Sequence, residues 1–366
     1  MADTPPPAAG WLDDELAGAF DVYEIRRNGD RLLYFGQLRA PRETVLKRAW
    51  PLFRDRGFEV TLTRRTGEDV LVVEPIDTGV DGIPWTNIVL ALATIASTLY
   101  VGTMWYYIRD PLAHPLSMLQ AWPFTAAVLG VLGIHELGHY VMSRYHDVDA
   151  TLPYFIPMPT FIGTMGAVIR MKGQMPDRKA LFDIGVAGPI AGLVATVVVT
   201  AIGLSLPPLA VPAWVVNSPN TMQVQFGKPL LFRVIAAVMG VPATYQNPVT
   251  FGGWVGMFVT VLNLLPAGQL DGGHLVRSMI GERQRTVAAF VPGVLFALAG
   301  YLYFVQHLGT AVGVWVIWGL LTLVVGFAGP AKPVHEEGIG TPRKVVGVVV
   351  LLLGLACFTP VPIQIL

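Results

Sequence analysis

Cysteine is almost missing from this chain of 366 residues: Cys357, in an apolar stretch near the C-terminus, is the only one. That excludes both a disulfide framework and a cysteine-based metal site within one chain. Charge is nearly as scarce, at 14% of residues, and 25 Lys and Arg balance 25 Asp and Glu to a formal net charge of zero. Without a basic run there is no electrostatic footprint for nucleic acid, and no nucleic-acid partner is expected. The N-terminus, MADTPPPAAGWLDDELAGAF, also lacks the basic start and apolar run of a signal peptide and the Arg and Ser of a transit peptide. Residues 1–10 therefore read as a disordered tail rather than a targeting segment.

What the chain has instead is apolar surface. A hydrophobic content of 53% and a positive mean hydropathy are too high for a soluble domain and natural for a polytopic α-helical membrane protein. The expected partners are then the lipid bilayer and other membrane proteins. Only residues 11–78 alternate like a soluble module. DVYEIRRNGDRLLYFGQL predicts two strands about an Asn28-Gly29 turn. RETVLKRAWPLFRDRG sets Val45, Leu46, Ala49, Leu52 and Phe53 at helical spacing, with a kink at Pro51 and a stop at Gly57. FEVTLTRR and EDVLVVEP supply two further strands, completing a small α+β domain.

Crossing the hydrocarbon core takes about 20 mainly apolar residues as a helix. The membrane domain, residues 85–366, offers about seven such stretches, near 85–108, 121–145, 180–206, 250–267, 286–306, 310–330 and 344–360. With the N-terminal domain cytoplasmic, the inside connections hold eleven Lys and Arg (Arg144, Arg170, Lys172, Arg178, Lys179, Arg277, Arg283, Arg285, Lys332, Arg343, Lys344) and the outside ones three (Arg109, Lys228, Arg233). This positive-inside bias predicts a cytoplasmic N-terminus in a cell membrane and an external C-terminus. Trp85, Trp105, Trp122 and Trp254 near span ends fit an interfacial belt or, equally, helix packing.

One span carries ionisable groups. Residues 133–146 read GIHELGHYVMSRYH. His135 and His139, four apart, share one helix face, so both imidazoles can reach one cation. Glu136 lies on an adjacent face, where it can address water without being a ligand. This is the H-E-x-x-H arrangement: two neutral imidazoles hold Zn2+ and the glutamate acts as general base. A set of His, Glu and His in a membrane span burdens insertion unless it is compensated. A catalytic zinc site needs a third protein ligand and an open fourth position. Asp271, in NLLPAGQLDGGHLVRSMIG at the cytoplasmic end of the 250–267 span, lies on the same membrane side as His135 and His139 and so matches them in depth; Pro266 and Gly268 interrupt the helix there, as is tolerated beside a polar cavity. His274 is the alternative ligand, and an interfacial helix cap is the alternative role for Asp271.

HELGH together with NLLPAGQLDGG resembles the site-2 protease family of intramembrane metalloproteases, whose second signature, N-x-x-P-x-x-x-x-D-G, is here Asn263, Pro266, Asp271 and Gly272. The resemblance extends through LPYFIPMPTFIGTMGAVIRMKGQMPDRKALFDIGVAGPIAG and covers a metalloprotease core at about 121–285. It is nearest to archaeal and plastid-like members without a PDZ domain. The resemblance implies one Zn2+ per chain on His135, His139 and Asp271, water activation by Glu136, and Asn263 near the active site, positioning substrate or stabilising an oxyanion. The implied activity is peptide-bond hydrolysis in or next to transmembrane helices of single-span or other membrane-protein substrates. A membrane metal-ion transporter and an inactive family member acting as a scaffold are the competing readings. Glu136 argues against transport, which needs no general base, and the complete signatures argue against inactivity.

TLPYFIPMPTFIGTMGAVIRMK, rich in Pro, Gly and β-branched or aromatic residues, predicts a re-entrant β-hairpin rather than a span. Its stretch Gly163, Thr164, Met165, Gly166, Ala167 and Val168 is a candidate substrate-binding strand edge, or alternatively a plug in the cavity. Gly188 and Gly192 read as a helix-packing face rather than chemistry. His146 and Asp147 are expected at the surface, and His114, His307 and His335 receive no role.

Overall fold

The computed structural model describes residues 15–65, 67–76, 82–158, 160–218 and 223–365, the side chain of residue 328 excepted. The expected tail at 1–10 lies outside these residues. Strands β1, Phe20–Asn28, and β2, Arg31–Leu38, pair antiparallel with Asn28 opposite Arg31. Their connection is thus Gly29-Asp30 rather than Asn28-Gly29. Gly29 takes φ +63° and Asp30 does not turn positive, as a type II′ hairpin requires. Helix α1, Arg42–Arg54, runs on through Pro51. Strands β3, Phe58–Arg65, and β4, Glu68–Pro75, complete a sheet of order β1-β2-β4-β3. Alternation does the rest: Tyr34, Val60, Leu71 and Val73 point to the face on which Val45, Ala49 and Phe53 of α1 pack.

A helix occupies each of the seven expected stretches: α2 (Trp85–Trp105), α3 (Trp122–Tyr145), α4 (Arg178–Ser205), α6 (Pro248–Asn263), α8 (Gln284–Phe304), α9 (Gly309–Ala328) and α10 (Gly340–Ala356). The last begins four residues before the expected 344, because Gly340 to Lys344 already form its first turn. Two helices of ten residues each were not expected, α5 (Leu230–Met239) and α7 (Asp271–Ile280). Among the described residues, five helical segments are long and apolar enough to cross a membrane: Trp85–Trp105, Pro115–Tyr145, Arg178–Ser205, Asp271–Phe304 and Gly309–Phe327. The protein is therefore a polytopic membrane protein with a small N-terminal sheet module.

Small residues set how close the central helices lie. A Cβ on Gly138 of α3 would come 2.9 Å from the Ala187 carbonyl carbon of α4, and one on Gly252 of α6 3.2 Å from the backbone of Ala127 in α3. Within a membrane such close backbone approach is what holds helices together. Helices α3, α4 and α6 accordingly form the core that carries the polar site. Trp254 is fully buried there, its ring 5.4 Å from Phe251 and 5.0 Å from Phe226, so it packs rather than anchors at an interface. Trp105 joins the same cluster, 4.6 Å from Phe251, whereas Trp85 and Trp122 are exposed.

Between α3 and α4 the chain forms a hairpin of β5, Tyr154–Pro157, and β6, Thr164–Val168, antiparallel with Tyr154 opposite Val168. It is tied to α2: Asn87 donates to the Leu152 and Pro153 carbonyls at 2.9 and 3.0 Å, and the Trp105 indole to the Phe161 carbonyl at 3.1 Å. Next comes β7, Met175–Asp177, which pairs in parallel with β9, Pro333–His335. (The short strand β8, Val224–Phe226, pairs with β10, Ile363–Ile365.)

The N-terminal module is fastened to this region. Val334 of β9 is buried in the module's own core, and the Trp50 ring meets His335 edge-on at 6.0 Å. Arg54 holds the Glu59 carboxylate at 2.7 Å and donates to the carbonyls of His146 and Asp147. Glu59 also accepts from the Gln174 amide at 3.0 Å. Burial pushes the Glu59 carboxyl up, while the Gln174 amide and the Arg54 charge hold it down. His146 is thus no free surface residue: its ring also lies 3.1 Å from Asp183, which Arg343 grips with two bonds of 2.8 and 2.9 Å. Arg54→Ala removes the counter-charge of Glu59 and is expected to destabilise the docked module by about 3 kcal/mol, the low end of the cost of breaking a buried pair. Faster amide exchange across β7 and β9, with β1–β4 still protected, is the check.

Candidate metal centre

His135 and His139 lie one turn apart on α3 and point their Nε2 atoms toward each other at 3.2 Å. Asp271 bridges them, Oδ2 at 3.0 Å from His135 Nε2 and Oδ1 at 3.2 Å from His139 Nε2. Donor atoms on a tetrahedron of bond length about 2.0 Å lie about 3.3 Å apart, so the spacing fits three ligands of one ion. Among the described residues, these three form the one His, Cys, Asp or Glu cluster able to hold a metal.

The ring orientations agree. His139 Nδ1 sits 2.8 Å from the Ile184 carbonyl. A carbonyl only accepts, so Nδ1 carries the proton and Nε2 turns its lone pair inward. Two imidazole nitrogens and a carboxylate thus converge on one point with electron pairs to share, an arrangement that calls for a cation.

Asp271 reaches that point because α6 stops at Asn263 and the chain folds back. Ala267 N–H donates to the Leu265 carbonyl at 2.7 Å and Leu270 N–H to that of Ala267 at 3.2 Å. Helix α7 then begins at Asp271, pressed so tightly on the loop that a Cβ at Gly272 would overlap the Leu264 carbonyl. The α7 N-terminus has no side-chain cap bond. The Asp271 carboxylate therefore serves the histidines rather than capping its helix. Asn263, the last residue of α6, places Nδ2 3.3 Å from His135 Nε2.

A cavity of about 650 Å3 opens onto the cluster. Glu136, nearly buried, lines it with His135, His139, Asn263 and Asp271. Ile169, just past β6, lines the same cavity as Glu136. Of the expected substrate strand, Ala167 and Val168 line the cavity, while Gly163 packs against Thr98 of α2 and Met165 is exposed. The geometry does not bring those two residues to the cluster. His274 lines the cavity too, but its Nδ1 accepts from the Ala331 amide at 3.3 Å and it lies outside the converging three.

Gly188 and Gly192 of α4 pack not against an apolar helix face but against the two imidazoles. A Cβ at Gly188 would overlap the His139 ring, and one at Gly192 would stand 2.8 Å from His135 Nδ1. The signal was present in the sequence, since both pairs share a spacing of four. Gly188→Ala is expected to weaken metal affinity by at least about tenfold, the scale of a lost ligand-orienting contact. The control is Gly130→Ala in α3, where a Cβ meets nothing within 4 Å; competition with a chelator compares the two.

The profile of peptidase family M50 matches residues 123–302, the stretch that carries both histidines, Glu136, Asn263 and Asp271. The chain belongs to peptidase family M50. Proteins it is similar to include the probable zinc metalloprotease EGY1, chloroplastic, of Arabidopsis thaliana, 32% identical over 300 residues that cover 75% of this chain and 52% of that protein. The probable zinc metalloprotease EGY2, chloroplastic, of the same plant is 31% identical over 240 residues, 63% of this chain and 40% of the relative. The probable zinc metallopeptidase EGY3, chloroplastic, also of Arabidopsis, is 26% identical over 389 residues, 93% of this chain and 63% of the relative. This M50 chain thus spans about half the length of the relatives it matches. No solved structure matches it.

Proposed function

We propose that this chain is an intramembrane zinc metalloprotease that hydrolyses peptide bonds in or next to the transmembrane helices of membrane-protein substrates. The observation that carries the reading is the convergence of His135, His139 and Asp271 within 3.2 Å of one another, with Glu136 in the same cavity. Relatives whose names describe probable zinc metalloproteases support it. His135, His139 and Asp271 hold one zinc ion per chain. When bound, zinc supplies Lewis acidity, which makes water a competent nucleophile near neutral pH and polarises a carbonyl oxygen.

The side chains then divide the proton and charge work. Glu136 takes the proton of the attacking water and returns it to the leaving amine. Asn263, at 3.3 Å from His135, donates from Nδ2 to the oxyanion as it develops. His139 keeps its tautomer through the Ile184 carbonyl.

In this reading residues 85–366 form a membrane domain of seven crossings with its protease core at about 121–285, and β5–β6 is a re-entrant hairpin. Residues 11–78 form a separate module on the cytoplasmic, Lys- and Arg-rich side, with the chain in a cell membrane. A helical substrate has its backbone groups occupied and must unwind before cleavage. Among the described residues β6 pairs only with β5, and its last residues, Ala167 and Val168, line the cavity that holds Glu136. Strand addition there repays part of the unwinding. Substrate peptides N-methylated at alternate positions are expected to resist cleavage, and equal cleavage of methylated and plain peptides would remove the strand-addition step. The function itself is tested by metal analysis of the purified chain with a panel of single-span substrates. One zinc per chain and chelator-sensitive cleavage are expected; a metal-free chain that still cleaves would refute it.

A further inference from the structure

Helices α8 and α9 touch at one level and part at another. A Cβ at Gly319 of α9 would lie 2.6 Å from the Phe296 ring of α8, so the two helices are in contact there. Seven residues on, about 10 Å nearer the N-terminal module, a Cβ at Gly326 would meet nothing within 4 Å. The gap is a groove of about 670 Å3. Along the helices its walls are Ala288, Ala289, Pro292, Leu323, Gly326 and Phe327, the last 91% exposed. At the module end it is lined by Arg277, Gln284, Arg285 and Lys332; among the described residues no carboxylate joins the lining, and Glu43 stands 4.0 Å from Lys332.

Two buried polar atoms of these lining residues have no partner among the described residues, the donor Arg277 Nη1, which lies beside Gly281, and the acceptor Gln284 Oε1. Their sister atoms are engaged: Arg277 Nη2 with Glu282 at 2.7 Å and Glu336 at 2.5 Å, Gln284 Nε2 with the Pro266 carbonyl at 3.2 Å. Arg285 pairs with Glu282 at 3.0 Å with both side chains exposed. Buried donors and acceptors left unpaired are rare and costly, and a pair of opposite kind in one groove points to a polar ligand carrying both functions. A phosphate offers acceptors to Arg277, a head-group hydroxyl offers a donor to Gln284, and acyl chains match the apolar walls. Basic pockets between spans at the membrane surface bind head groups of this kind.

We propose that the groove between α8 and α9 seats one anionic phospholipid, with its phosphate at Arg277 and Arg285 and its chains along Ala288, Pro292, Leu323 and Gly326. Gly329, Pro330 and Lys332 line both this groove and the metal cavity, so the seated lipid abuts the segment that walls the candidate active site. The proposal rests on the chain being a membrane protein and not on its being a protease.

The test titrates the full chain in detergent with phosphatidylglycerol, phosphatidylcholine or glycerol 3-phosphate, reading the thermal midpoint and the lipid retained in native mass spectrometry. Phosphatidylglycerol alone is expected to raise the midpoint, as a ligand of the folded state must. Arg285→Gln is expected to weaken its retention about five-fold, the worth of one basic residue at a membrane surface. Gly326→Leu, at a position where a Cβ meets nothing within 4 Å, narrows the groove and is expected to weaken it as well, with helicity and metal content unchanged. Equal response to phosphatidylcholine, or an equal shift with glycerol 3-phosphate, would overturn the proposal. So would a Gly326→Leu protein that retains phosphatidylglycerol fully but no longer cleaves a single-span substrate, since the groove would then belong to substrate.

Discussion

A Glu136→Gln protein is expected to keep its full metal content and to lose about 10²–10⁴-fold in turnover, the usual worth of a positioned general acid and base. The substitution keeps the shape of the side chain and its reach into the cavity, and it removes only the ability to accept and return a proton. Glu136 lies beside the three converging donors without being one of them, which is why metal content and turnover are expected to separate. Metal analysis and single-turnover cleavage on the same preparation check both halves, and full residual activity would refute the base assignment. A transporter would behave differently, since ion passage has no step that needs Glu136 as a base.

Asp271→Ala is expected to lose the metal more severely than the roughly 10–100-fold cost of removing a supporting hydrogen bond, because it removes one of three ligands. Hydrolysis falls with the metal. The competing role for Asp271, a helix cap, carries a different signature: about 1 kcal/mol of stability and no change in affinity. Chelator competition alongside thermal unfolding separates the two. Retained zinc in Asp271→Ala would transfer the third-ligand role to His274, whose ring lines the same cavity.

The site was legible in the sequence to the extent that its chemistry is local. H-E-x-x-H encodes its own geometry, because four residues on a helix are one turn wherever the helix goes. Asp271 needed a depth argument, and that argument came from the placing of the end of its span on the same Lys- and Arg-rich side as the two histidines. The supporting groups were not legible in the same way. The Ile184 carbonyl is a backbone atom, which no residue type announces. Gly188 and Gly192 looked like packing glycines because the sequence does not say which neighbour presses on them; the neighbours are imidazoles. In the N-terminal module alternation and helical spacing gave every element, yet the hairpin turn fell one residue later than Asn-Gly suggests. Register is set by the whole β1–β2 pairing rather than by the favoured dipeptide. Helix α7 escaped notice because its ten residues are too short and too polar to read as a span, although they present the aspartate.

The central claim is that a peptide bond at membrane depth is cut by water chemistry at His135, His139, Asp271 and Glu136. Mass spectrometry of a single-span substrate co-reconstituted with the chain tests it most directly, by locating the cut. The account predicts a cut within or beside the substrate's apolar segment, lost on chelation and in Glu136→Gln. A cut confined to soluble parts of the substrate, or one that survives in Glu136→Gln, would contradict it.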